Sequence, residues 1–210
     1  MSKIILDLCG GTGAWSKPYR DAGYDVRVIT LPDHDVTTTV KGRDFMIFCD
    51  SGHRQLKDVA IADVHGILAA PPCTMFSLAR TTAKTPRDFD EGLTTVRACL
   101  EIIWACRARG NIKWWAMENP VGFLRQFMGK PALTFRPCDY GDPYTKRTDL
   151  WGYFTEPVKR PVAVEKPKGR GKGGTRAWSF AQRNVAGLTR TEMRAVTPPG
   201  FARAFFEANP

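Results

Sequence analysis

The sequence predicts an α/β fold, a mostly parallel sheet with helices on both faces, from three observations. Short apolar runs of strand length alternate with longer amphipathic stretches, and Gly-rich or Pro-rich turns close the runs. The 210 residues suffice for one sizeable core. At 43% hydrophobic and 25% charged, the composition is that of an ordinary soluble globular chain.

Residues 4–8 read as a short buried strand, followed by the turn Cys9-Gly10-Gly11-Thr12-Gly13 and a helix over 16–22 that Gly23 stops. Strands are expected over 26–31, 45–49 and 64–70, the last ending in Pro71-Pro72-Cys73. Residues 88–109 carry Leu93, Val96, Leu100, Ile103 and Trp104 at helical spacing before Gly110. A further strand over 112–117 runs into Glu118-Asn119-Pro120, and 199–208 read as a helix docked on the core.

Charge and cysteine usage bound the function. The formal charge is +10, and residues 151–194 hold ten Lys or Arg against three Glu, which suits a polyanionic partner such as DNA. The tract with Lys168, Arg170 and Lys172 among four glycines fits either a linker or a nucleic-acid contact. Six scattered cysteines without a CxxC pair, and three histidines without metal spacing, argue against zinc and against a disulfide framework. No apolar run approaches the roughly 20 residues of a membrane span. Met1-Ser2-Lys3 leading into a strand is unlike a signal peptide, so a cytoplasmic location is expected.

Three places can carry chemistry. The glycine turn after the first strand lets backbone amides approach a ligand at a helix N-terminus, although a plain tight turn has the same composition. Asp33, Asp35 and Asp50 follow the next strands and are candidates for ribose or base contacts. Pro71 and Pro72 stiffen the chain and end the strand, presenting Cys73 at its C-terminal tip, where open α/β sheets place their sites. The polar stretch 74–87 reads as a mobile loop able to close over a substrate. Glu118 and Asn119 end another strand at the same pole, and a carboxyl there can keep or share a proton beside a thiolate nucleophile.

The order of these pieces resembles the cytosine-5 DNA methyltransferase family, in a compact phage-type or prophage-type form. Asp7-Leu8-Cys9-Gly10-Gly11-Thr12-Gly13 is similar to its cofactor loop, and Pro71-Pro72-Cys73-Thr74-Met75-Phe76-Ser77 to its nucleophile motif. Glu118-Asn119-Pro120 resembles its Glu-Asn-Val, the segment 139–148 its Gln-x-Arg-x-Arg region, and 195–199 its late motif. The resemblance implies a Rossmann-like class I methyltransferase: a catalytic core over 1–152, a short basic target-recognition segment over 153–193, and a helix over 194–210 returning to the core. It implies S-adenosyl-L-methionine held by Asp7, Cys9, Gly10, Gly11, Thr12, Gly13, Asp33, Asp50, Pro71 and Val196. Cys73 would attack C6 of a flipped cytosine, Glu118 would bind N3 and the exocyclic amine, and Arg147 or Lys146 would stand near the base or thiolate. Ser77, Arg80, Lys146, Lys168, Arg170 and Lys172 would face double-stranded DNA, and no metal is implied.

The chain departs from the family in four ways. Cys9 stands where an aromatic residue is usual, and Thr30 and Leu31 where a glutamate is usual. Tyr144, Lys146 and Thr148 replace the Gln and two Arg, and the recognition segment is short. Ala70 before the prolines and Cys73 after them favour ring-carbon chemistry over exocyclic amino methylation. The alternatives are an RNA cytosine-5 methyltransferase, or a nucleic-acid-binding protein of the same fold with weak catalysis.

Overall fold

A computed structural model describes residues 3–49, 55–80, 83–164, 193 and 195–210. Strand β1 (Ile4–Leu8) is an interior strand of the sheet, buried along its whole length as a strand covered on both faces must be. After α1 (Lys17–Asp21), β2 (Asp25–Ile29) pairs parallel with one edge of β1, and β6 (Val64–Ala69) pairs parallel with the other. The long helix α2 (Phe89–Arg109) leads to β7 (Trp114–Pro120), parallel to β6. A hairpin of β8 (Leu133–Phe135) and β9 (Thr148–Tyr153) completes the sheet, with β9 antiparallel to β7. The strand order is β2-β1-β6-β7-β9-β8, so the fold is mixed α/β around a mostly parallel six-stranded sheet.

The expected strand over 45–49 forms but does not join this sheet. It is β4 (Phe45–Cys49), the middle of an antiparallel sheet with β3 (Asp35–Lys41) and β5 (Gln55–Ala60). Val36, Met46, Phe48 and Val59 turn inward from it to share the core of Cys99, Ile102 and Ile103 on α2. An antiparallel meander needs only short turns, whereas another parallel strand would need its own crossover.

Helices cover both faces of the main sheet. On the α2 face lie Leu6, Ile67, Met117 and Trp151; on the other, Ile5, Leu68, Ala116 and Leu150 meet α1 and α4 (Pro199–Ala208). Phe201 of α4 stacks on Phe135 at 3.9 Å, and Phe205 meets Trp15 edge-on at 5.5 Å. Both phenylalanines are fully buried, so truncating either to alanine costs about 3–5 kcal/mol. Gly200 N–H donates to Asp142 Oδ2 at 2.9 Å and fixes the entry to α4. Among the described residues no helix is long and apolar enough to cross a membrane.

Candidate active site

The chain leaves β1 first to β2 on one side and later to β6 on the other, so a crevice opens over the C-terminal end of β1. The glycine turn sits there. Cys9, Gly11 and Gly13 have φ of 56, 54 and 68°, a left-handed path that coils the backbone tightly. Gly10 lies directly on the Asp7 carboxyl, and a Cβ there would overlap it. Ser16 Oγ donates to Asp7 Oδ2 at 2.5 Å, while Asp7 Oδ1 is buried with no hydrogen-bond partner among the described residues. Burial pushes the Asp7 carboxyl up to about 6, against the pull of Ser16 and Arg20.

Two expectations at this turn change. Helix α1 is only five residues long and starts at Lys17, so backbone amides rather than a helix dipole border the crevice. Thr30, at the tip of β2, takes the place next to the turn: its Oγ1 accepts from Gly11 N–H at 3.3 Å. Asp33 is exposed on the following turn, and the Asp35 carboxylate caps Thr37 through its N–H and hydroxyl. Thr12 is exposed, Pro71 is buried and Val196 is half-buried; Asp50, Lys168, Arg170 and Lys172 lie outside the described residues.

Ala69 pairs with Met117, which sets the tips of β6 and β7 side by side. Two prolines deprive the end of β6 of amide donors, and Asn119 compensates by donating from Nδ2 to the Pro71 carbonyl at 3.0 Å. Cys73, half-buried, follows two residues later. Its carbonyl accepts from Phe76 N–H (3.0 Å) and Ser77 N–H (2.8 Å), turning the chain sharply after the thiol. The Phe76 carbonyl then accepts from Phe123 N–H at 2.9 Å, and Ser77 forms an isolated bridge with Gly122. Any side chain at Gly122 would strike the Phe76 carbonyl, so glycine is required for this approach. Val121 N–H donates to the Arg147 carbonyl at 3.0 Å. The segments carrying Cys73, Glu118 and Lys146 are thereby knitted into one frame.

Two arginines engage the described part of the stretch after Cys73. Arg87 donates to the carbonyls of Met75 (2.7 Å) and Ser77 (2.9 Å) and lies over the Phe123 ring. Arg80 donates to the Pro86 carbonyl and to Thr85 Oγ1, so its guanidinium is engaged inside the loop. Phe76 is fully buried beneath. A groove of about 740 Å³ borders this loop, lined by Met75, Arg87, Phe89 and Phe127 among others, on the side of α2 rather than around Cys73.

Lys146 makes the ion pair at the acid, with Nζ 3.8 Å from Glu118 Oε1; the two side chains are 20% and 18% exposed. Arg147 is exposed. Burial raises the Glu118 carboxyl above its ordinary range and Lys146 opposes the rise. Behind the site, Asp149 is fully buried opposite Asn119 and receives both arms of Arg125 at 2.6 Å and Thr134 Oγ1 at 2.6 Å. Arg125 rises from α3 (Leu124–Met128), so this fork clamps α3, β8 and β9 behind the acid. A thiol following one strand, and a carboxyl paired with an ammonium group at the tip of the adjacent parallel strand, are the groups that can add a nucleophile to an electron-poor ring and supply its proton.

Sequence reasoning did not single out Ser16, Thr30, Arg87 or the Arg125–Asp149 fork. The sequence placed Asn119 at the same pole as Cys73, but its donation to the Pro71 carbonyl is visible only in the structure. No protein-family model matches the chain, and no curated protein matches it.

Proposed function

We propose that the chain is an S-adenosylmethionine-dependent DNA cytosine-5 methyltransferase whose nucleophile is Cys73. One arrangement supports this reading: Cys73 follows β6 and Glu118 lies on the neighbouring parallel β7, paired with Lys146, while the glycine turn follows β1 on the other side of β6. The finer assignment of the fold, a Rossmann-like class I methyltransferase, rests on the same crevice at the reversal of strand order.

The residues of the turn fit the cofactor. Gly10 keeps the crevice floor low over the buried Asp7, Gly11 and Thr12 are open to solvent, and Thr30 offers a hydroxyl beside them. Gly10, Gly11, Thr12 and Thr30 would hold S-adenosylmethionine, which supplies an electrophilic methyl group when bound.

The chain's own residues account for the rest. A cytosine inside a duplex is out of reach and must be extruded into the recess. The Cys73 thiolate adds to C6, and the Glu118 carboxyl, which burial shifts toward its protonated form, donates to N3 as negative charge builds on the ring. The Lys146 ammonium stabilises that charge. The ring carbon C5 becomes nucleophilic, and after its substitution loss of the C5 proton expels the Cys73 thiolate. Exposed Arg147 and the excess positive charge suit the phosphate backbone.

The test is nucleoside mass spectrometry of DNA incubated with the protein and methyl-labelled S-adenosylmethionine. Labelled 5-methylcytosine is expected. Label in N4-methylcytosine or N6-methyladenine, or none in DNA, contradicts the proposal; label in RNA alone moves the substrate to RNA.

A further inference from the structure

Cys9 and Cys99 hold their sulfurs 4.0 Å apart although 90 positions separate them in sequence. Cys9 belongs to the glycine turn, and its left-handed backbone, unusual for a residue with a side chain, turns it to pack on the α2-side core. Cys99 is fully buried on α2, while Cys9 is half-buried. A small oxidant therefore meets Cys9 first. The neighbouring Cys9 sulfur and burial push the Cys99 thiol upward, so the oxidant's first step falls on Cys9 and Cys99 serves as the resolving thiol.

We propose that Cys9 and Cys99 form a reversible redox modification site, a disulfide that locks the glycine turn to α2 and weakens cofactor binding. The consequence for binding rests on the reading of that turn as the cofactor site; the cross-link does not. The oxidant is a peroxide. Its O–O bond breaks as one oxygen joins the Cys9 sulfur to give a sulfenic acid and the other leaves as water. The Cys99 sulfur then attacks the Cys9 sulfur, the S–S bond forms, and the hydroxyl departs with the Cys99 proton as a second water. Two thiols have lost two electrons and two protons, and one peroxide has become two waters.

A disulfide needs the sulfurs at about 2.05 Å, so the pair must close by roughly 2 Å. Helix α2 is 21 residues long and packed in the core through Cys99, Ile102, Ile103 and Cys106, whereas the turn is an irregular segment tied by single hydrogen bonds: Cys9 N–H to Ile29 O, Gly11 N–H to Thr30 Oγ1, Gly13 N–H to Gly10 O and Ser16 Oγ to Gly13 O. The movement falls on the turn. Gly10 already touches the Asp7 carboxyl, so shifting the turn displaces the amides that face the crevice.

The experiment treats the full chain with hydrogen peroxide, blocks remaining thiols by alkylation, and maps the peptides by mass spectrometry. Affinity for S-adenosylmethionine is measured before oxidation, after it, and after reduction. A peptide pair joining Cys9 to Cys99 is expected, two hydrogens lighter than the reduced pair and lost on reduction. Affinity is expected to fall about tenfold or more and to return with reductant. The same treatment should leave the affinity of Cys99→Ala unchanged. Absence of the joined peptide under peroxide that oxidises Cys73 overturns the proposal, as does a cross-linked protein that binds the cofactor like the reduced one. Should the reduced chain bind no S-adenosylmethionine, the cofactor reading fails; the joined peptide and slowed amide exchange over residues 9–13 still decide the lock.

Discussion

Lys146 Nζ stands 3.8 Å from Glu118 Oε1 in a recess at the tips of β7 and β9. Two opposed influences meet there: burial favours the neutral carboxyl, and the ammonium group favours its ionised form. Burial moves the Glu118 carboxyl toward its neutral form while the ammonium limits that rise, a balance that suits the proposed role of donor to a ring nitrogen.

Replacing Lys146 by Met removes the lowering influence, so the Glu118 titration midpoint should move further upward. Carboxyl-carbon NMR of the folded protein reads this directly. A midpoint that stays put or falls contradicts the assignment of Lys146 as the partner. In the same frame Glu118→Gln should slow single-turnover methyl transfer by about 10²-fold or more, with cofactor affinity retained.

Asn119→Ala removes the side-chain donor to the Pro71 carbonyl. Loss of this bond lets the Cys73 turn drift, and a misplacement of about 1 Å can cost about 10²-fold in rate. The expected pattern is a slower chemical step with unchanged cofactor affinity and nearly unchanged melting temperature. An equal loss of affinity and rate would show that Asn119 supports the fold generally.

Asp7 gives a pH signature. Its carboxyl titrates near 6 in the folded chain against 3.8 ordinarily. Between those values the folded state keeps a proton that the unfolded state has released, so stability falls as pH rises through the window and levels off above it. The shift amounts to at most about 3 kcal/mol. Asp7→Asn keeps an acceptor for Ser16 and should match the parent below pH 3.8 but exceed it by up to that amount above about 6. Denaturation midpoints across this range check it; parallel curves for the two proteins would contradict it.

Arg125→Ala leaves the buried Asp149 carboxylate without its fork. Removing one partner of a fully buried pair costs about 3–5 kcal/mol, and because Arg125 is 37% exposed we expect about 2–3. Adding Asp149→Asn should restore part of that loss, since the stranded charge goes with it. A double variant less stable than Arg125→Ala would show that the fork's charge is not what matters.

Patterning exposed the elements that position the chemistry. Ile4-Ile5-Leu6 and Ile67-Leu68-Ala69 are buried on both faces and read as apolar runs, and Phe201 and Phe205 mark one face of α4. What stayed hidden depends on partners remote in sequence. Strand β9 carries Asp149 mid-strand, and only Arg125 and Thr134, 24 and 15 residues away, make that burial tolerable. The choice between Lys146 and Arg147 follows from how β9 enters against β7, which no local pattern records. Likewise the carbonyls of Met75 and Ser77 that Arg87 grips leave no mark in the composition of the polar stretch 74–87.

The central claim is that the Cys73 sulfur forms a covalent bond to an extruded cytosine. Incubating the protein with S-adenosylmethionine and a duplex oligonucleotide containing 5-fluorocytosine tests it, because fluorine cannot leave C5 as a proton does. The account predicts a denaturation-resistant adduct that needs the cofactor, maps to the peptide bearing Cys73 and is absent in Cys73→Ser. Methylation of ordinary cytosine by Cys73→Ser at the parent rate, or an adduct on another residue, would contradict it.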